Sequence, residues 1–331
     1  LDFTVNGKDY RNLSLQGLTA IYLPNYDNVE ISTFNLYLKN DNRSATRVEI
    51  PGKIDLKNQT FSFNADIRYL NENFANIFTD NDVMSLNISG PIGVSGNLKE
   101  NSYKVNCSLN FDNCVLPNLT GNNLSGSLIA NYESVNNLDS LRRFLLKVKD
   151  QKGDVMDLSL RKAYNPTLNQ TEYQLRSSFV DFDKLKGLFA AGGKAKKQAK
   201  EKIEKRLDFG SGKTFVDCSI GKIHWGKDFN TTFRGNFLLD DSGIALSDGK
   251  LRGDGGEFDV QLNAQNVTEG IRYRFRVLTA AGPMNLMPFY GLLTEGEQTN
   301  LTGKIDRIDG EIFLTDDGGD DWVTRSVSGY L

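Results

Sequence analysis

FSFNADIRY, residues 61–69, is the stretch on which the fold turns. Phe61, Phe63, Ala65, Ile67 and Tyr69 fall on one side of an extended chain, and Ser62, Asn64, Asp66 and Arg68 on the other. Successive side chains of a strand point to opposite faces, so strict alternation describes a strand with one dry and one wet face. YKVNCSLNF (103–111) repeats the pattern, setting Val105, Cys107, Leu109 and Phe111 against Lys104, Asn106, Ser108 and Asn110. FDVQLNA (258–264) and RYRFRV (272–277) repeat it again through Phe258, Val260, Leu262, Tyr273, Phe275 and Val277. Strands of a doubly covered parallel sheet would be apolar throughout, so these read as antiparallel. NGK, DNR, LDDSG, SDGK, RGDGG and TDDGG supply the Asn, Asp and Gly that hairpin turns need. The expectation is a mainly β chain built on a long twisted antiparallel sheet.

Three short amphipathic helices are expected to interrupt it. LNENFANIF (70–78) carries Leu70, Phe74, Ile77 and Phe78 at helical spacing; FDKLKGLF (182–189) carries Phe182, Leu185, Leu188 and Phe189. MNLMPFYGLL (284–293) carries Leu286, Phe289, Tyr290 and Leu293, with Pro288 starting a fresh turn. Each is followed by polar residues and another alternating strand, which gives the chain a weak internal repeat. Residues 190–212 change composition abruptly, with seven Lys or Arg and two Glu between Lys194 and Arg206. This segment reads as a basic linker or solvated helix, a lipid-facing strip being the rarer use of such a sequence. The expected organisation is a segment over 1–189, the linker over 190–212 and a second β segment over 213–331.

The remaining features exclude more than they assign. With 39 basic against 42 acidic residues the net charge is −3, so no global field favours nucleic acid. No window approaches 18 uninterrupted apolar residues. The chain opens directly in strand-like sequence and reads as a piece of something longer, which leaves room upstream of Leu1 for an anchor or export signal. Cys107, Cys114 and Cys218 read as buried thiols, a Cys107–Cys114 bridge across neighbouring strands staying open in an oxidising compartment. His224, the single histidine, has no nucleophile motif beside it and reads as structural. The acids of TDDGGDDW (Asp316, Asp317, Asp320, Asp321) and RGDGGEF (Asp254, Glu257) suit turns first, calcium second and catalysis last. Eleven Asn-x-Ser/Thr sequons follow from the abundance of those residues. The chain is therefore read as no enzyme, with no catalytic residues, metal or cofactor.

A dry sheet face must be covered. Some fifteen strands at roughly 4.8 Å spacing run on the order of 70 Å, whereas a helix of about ten residues spans roughly 15 Å. Either the sheet folds on itself as a sandwich, or it curls into a hydrophobic groove that takes hydrocarbon. At this point residues 214–265, TFVDCSIGKIHWGKDFNTTFRGNFLLDDSGIALSDGKLRGDGGEFDVQLNAQ, and 288–312, PFYGLLTEGEQTNLTGKIDRIDGEI, resemble the C-terminal region of AsmA-like proteins. The resemblance is best over about residues 179–313. It implies a periplasmic protein of the bacterial envelope, anchored in the inner membrane by a segment outside this chain. It also implies an apolar β-groove for phospholipid, acting in lipid transport or outer-membrane biogenesis, with envelope proteins as further partners. Groove candidates are Phe61, Phe63, Ile67, Val105, Leu109, Phe258, Val260, Leu262, Phe275 and Val277. Helical cover would come from Phe74, Phe78, Leu185, Phe189, Phe289 and Leu293. The alternative is a secreted structural or adhesion β protein with calcium in its aspartate loops.

Overall fold

The computed structural model describes residues 3–5, 8–10, 13–24, 27–40, 43–72, 85–115, 123–136, 138–185, 212–225, 229–253, 256–267, 270–281, 307–316 and 322–330. Those residues are mainly β, as the alternation requires. Two compact units divide the chain, Leu1–Arg161 and Lys162–Leu331.

Unit 1 opens with a hairpin of β1 (Phe3–Val5) and β2 (Lys8–Tyr10). Its sheet then takes β3 (Leu13–Leu23), β4 (Asn28–Asn40), β5 (Arg43–Glu49), β6 (Gly52–Asp55) and β7 (Thr60–Asn71). It continues through β8 (Ser85–Asn97), β9 (Ser102–Val115), β10 (Leu124–Val135), β11 (Leu138–Asp150) and β12 (Gly153–Asn165), the last crossing the unit boundary. β5 and β6 both lie between β4 and β7 and act as one interrupted strand. Pro51 sits at the break, where it has no N–H to give the ladder. From β7 to β11 each strand pairs antiparallel with its sequence neighbour, with register shifts in every pair.

Unit 2 carries β13 (Gln170–Ser177), β14 (Val180–Asp181), β15 (Lys213–Trp225), β16 (Phe229–Asp240) and β17 (Gly243–Gly253). β18 (Gly256–Val267), β19 (Gly270–Ala281), β20 (Arg307–Asp316) and β21 (Trp322–Tyr330) complete it. β15 to β21 form an antiparallel meander. Among the pairings of the described residues, the expectation of a wholly antiparallel sheet fails at β13 and β14. β13 and β14 pair parallel with β15, in a register running from Gln170↔Lys213 to Ser177↔Ile220, then Val180↔Ile223 and Asp181↔His224. A parallel neighbour needs a long crossover rather than a tight turn, and the chain between residues 182 and 212 supplies it.

Of the three expected helices, the described residues include the starts of the first two: Leu70 and Asn71, placed on the first, belong instead to β7, where Leu70 pairs with Ile88, and the second begins as one helical turn at 182–185. Asp181 caps it, its Oδ1 accepting the Lys184 backbone N–H at 3.0 Å. Phe74, Phe78, Phe189, Phe289, Leu293 and the basic segment at 190–211 lie outside the described residues.

LDDSG closes the β16–β17 hairpin as expected, whereas SDGK (247–250), expected as a hairpin turn, lies inside β17 at a register shift, and the turns of NGK, DNR, RGDGG and TDDGG fall outside the described residues. Gly243, closing the β16–β17 hairpin, has φ +151° and would bring a Cβ to 1.9 Å from the Ala264 carbonyl oxygen. In the same pair a register shift opens opposite Gly235, where a Cβ would meet Leu246 Cδ1 at 2.7 Å. Asp248 mends that irregularity, accepting the Asn236 backbone N–H at 3.0 Å and its amide at 2.7 Å. Gln59 holds φ 55° without being glycine. Gly243→Ala is expected to lower unfolding free energy by about 1–3 kcal/mol, and Gln59→Gly to raise it by about 0.5–1 kcal/mol, both read by urea denaturation.

Candidate functional site

Register and alternation together place the apolar residues of unit 1 in continuous rows. One row runs Phe63, Val94, Val105, Tyr132, Leu141 across β7 to β11. Another runs Ala65, Ile92, Cys107, Ala130, Phe144. In unit 2 the corresponding row is Val216, Phe237, Leu246, Leu262, Phe275, and a second is Leu239, Ile244, Ala264, Tyr273. Each unit thus has one apolar sheet face.

These faces are only partly sealed. Among the candidates Ile67 and Phe258 are buried, at 7% and 2% relative exposure. Phe61, Phe63, Val105, Leu109, Val260, Leu262, Phe275 and Val277 are all half-buried. The structure joins the candidates of unit 1 in one face and those of unit 2 in another. Phe61 and Phe63 stand with ring centroids 6.1 Å apart. Of the proposed cover residues Leu185 is described and half-buried, while Phe182 beside it is 40% exposed.

The reverse faces are charged and internally paired. In unit 1 Glu133 on β10 pairs with Lys104 on β9 at 2.9 Å and with Arg142 on β11, bridging three strands. Glu49 takes Arg47 at 3.1 Å and Arg68 at 3.3 Å. In unit 2 Arg176 pairs with Asp217, Arg252 with Glu257 at 2.6 Å, and Lys250 with Asp259 at 4.0 Å. Opposite charges placed across neighbouring strands favour one register over its slips. An open hollow of about 680 Å³ also lies on this face of unit 2, among Asp217, Ser219, Arg234, Asn236, Asp248 and Lys250. Sequence reasoning missed it, because a dent at a bulge has no signal in composition.

At one end of the unit 1 apolar face two tyrosines form a polar rim. Tyr103 and Tyr132 have ring centroids 5.7 Å apart and hydroxyls 3.3 Å apart. Tyr132 is also hydrogen-bonded to Asp139, and that carboxylate, ahead of Tyr103 and burial, raises the phenol pKa. A carboxylate only accepts, so Tyr132 donates to Asp139 and Tyr103 donates to Tyr132.

No group of three or more His, Cys, Asp or Glu among the described residues is arranged to hold a metal. His224 Nδ1 faces Asn230 Oδ1 at 3.3 Å across β15 and β16, a cross-strand pairing. Cys107 and Cys114 both lie on β9, free and half-buried. Seven residues along one strand separate them by roughly 23 Å, which removes the disulfide left open by the sequence. Burial raises the thiol pKa of Cys114 and of Cys218, so neither is an activated nucleophile. No helix among the described residues is long and apolar enough to cross a membrane. No protein-family model, curated protein or solved structure matches the chain.

Hydrogen bonding from Arg68 first, and Arg47 besides, holds the Glu49 carboxyl below its ordinary pKa near 4.5; Lys104 first, with Arg142, does the same for Glu133. A depressed carboxylate contributes stability above the unfolded pKa and loses it as pH falls through the folded value. The melting temperature is therefore expected to drop between about pH 5 and about pH 3. Glu49→Gln/Glu133→Gln should melt lower than the parent at neutral pH and show a shallower acid drop; a drop of parental steepness would contradict the assignment.

Proposed function

We propose that the chain is a non-enzymatic lipid-binding module, holding the acyl chains of phospholipid or a related lipid against its apolar sheet faces. The observation that supports this reading is the half-exposure of Phe61, Phe63, Val105, Leu109, Val260, Leu262, Phe275 and Val277, on faces that are apolar row after row. A core residue of this size is ordinarily removed from water altogether. Hydrocarbon contact would bury what remains, at about 0.8 kcal/mol per methylene and on the order of 10 kcal/mol gross for a long acyl chain. Such binding is driven by area, so its strength is spread over many residues and no single group is a catalytic centre.

The resemblance of the stretches around GKIHWG and GDGGEFDV to AsmA-like proteins supports this reading, and with it a setting in the bacterial periplasm, in phospholipid transport or outer-membrane biogenesis. In that setting an anchor outside the chain and envelope proteins are the partners. The reading is tested by native mass spectrometry and lipid extraction on protein purified from a diderm bacterial envelope. Co-purifying phospholipid is expected. Val105→Asp and Val260→Asp should each reduce it several-fold while circular dichroism keeps the β signature, since a half-exposed site tolerates a charge that a closed core would not. A lipid-free parent, or variants that unfold outright, would replace the reading with a closed structural β protein.

A further inference from the structure

The strongest unexplained feature of unit 1 is the edge formed by its turns at 56–59, at 98–101 and at Asn136. Two of these share one construction. In DLKNQ the Asp55 Oδ1 accepts the Asn58 backbone N–H at 2.8 Å; in NLKEN the Asn97 Oδ1 accepts those of Lys99 and Glu100 at 2.9 and 3.2 Å. Side chains that fold back on their own turn in this way fix its backbone. The residue left at the tip is a leucine followed by lysine: Leu56 is 50% and Leu98 69% exposed. Leu138, where the chain re-enters β11 after the third turn, is 55% exposed.

The turns are also tied to one another. Leu98 N–H donates to the Gln59 carbonyl at 2.9 Å, and Asn136 N–H to the Asn101 carbonyl at 3.1 Å. Lys99 Nζ reaches the Lys57 carbonyl at 3.1 Å. The tips therefore stand in a fixed row, two strand widths or roughly 10 Å apart. Behind them Tyr103, 40% exposed, sets an aromatic body with a polar hydroxyl at the rim of the apolar face. Fixed apolar points, flanking lysines and an amphipathic tyrosine one step back match the depth profile of a lipid interface. A protein partner would need a pocket at each tip; fluid acyl chains need none.

We propose that this turn edge docks on a phospholipid bilayer surface, with Leu56, Leu98 and Leu138 entering the acyl boundary. Lys57 and Lys99 are offset by Asp55, Glu100 and Asp139, so attachment depends on apolar area and persists in salt and on zwitterionic lipid. The proposal concerns the edge, and is separable from acyl-chain binding on the sheet face. The test is flotation of the full chain with phosphatidylcholine vesicles. Wild type is expected to float, in high salt as in low. Leu56→Ser/Leu98→Ser/Leu138→Ser should float at least about fivefold less while its melting temperature and its co-purifying lipid stay unchanged. Leu238→Ser, an exposed leucine on the charged face of unit 2, should float as wild type does. A wild type that does not float, a triple variant that floats equally, or an equal loss in Leu238→Ser would overturn the proposal. Loss of co-purifying lipid in the wild type would instead count against the sheet-face reading.

Discussion

The pleat of the β-strand governs this molecule. Because alternate side chains must point opposite ways, each strand that puts Phe61, Val105 or Phe275 on one face puts Ser62, Asn106 or Arg276 on the other. A run of such strands has no freedom to mix the two. Everything else is a response to that division: the ion pairs on the wet side, the partly sealed rows on the dry side, and the bulges that adjust where each row ends.

The wet side supplies register more than strength. Exposed ion pairs stabilise little, commonly under about 1 kcal/mol each, and those of Arg47, Arg68, Lys104 and Arg252 are largely exposed on the basic partner. Yet a slip by one residue would turn the dry rows to water and part each of these charges from its partner. Glu133, reaching basic residues on both neighbouring strands, resists slips in two pairings at once. The dry side, by contrast, tolerates approximate packing, because few of its members are fully enclosed.

Much of this was legible in the sequence, and for local reasons. FSFNADIRY and YKVNCSLNF encode their strands by period alone, and DDSG encodes its turn by the left-handed freedom of Gly243. The parallel pairing of β13 with β15 was not legible, since Leu175 and Cys218 become neighbours without any local signal joining them. Nor was the depth of each apolar residue: alternation assigns Ile67 and Phe63 to one face, yet only the completed sheet buries the first and leaves the second half open. The leucine tips were not singled out in the sequence, since their alignment depends on hydrogen bonds between turns far apart in the chain. The dent beside Asn236 and Asp248 belongs to the same class.

The parallel pairing of β13 with β15 also bears on how the chain reaches its native state. Hairpin meanders close between sequence neighbours, so loop-closure entropy is small at each step and strands can add in order as they are made. The β13–β15 pairing cannot form in that succession. The two strands lie 43 residues apart, by the offset from Gln170 to Lys213, so this edge of β13 stays open until β15 has been synthesised. In unit 2 the parallel pairing is therefore among the last to close, whatever the order in which the hairpins form.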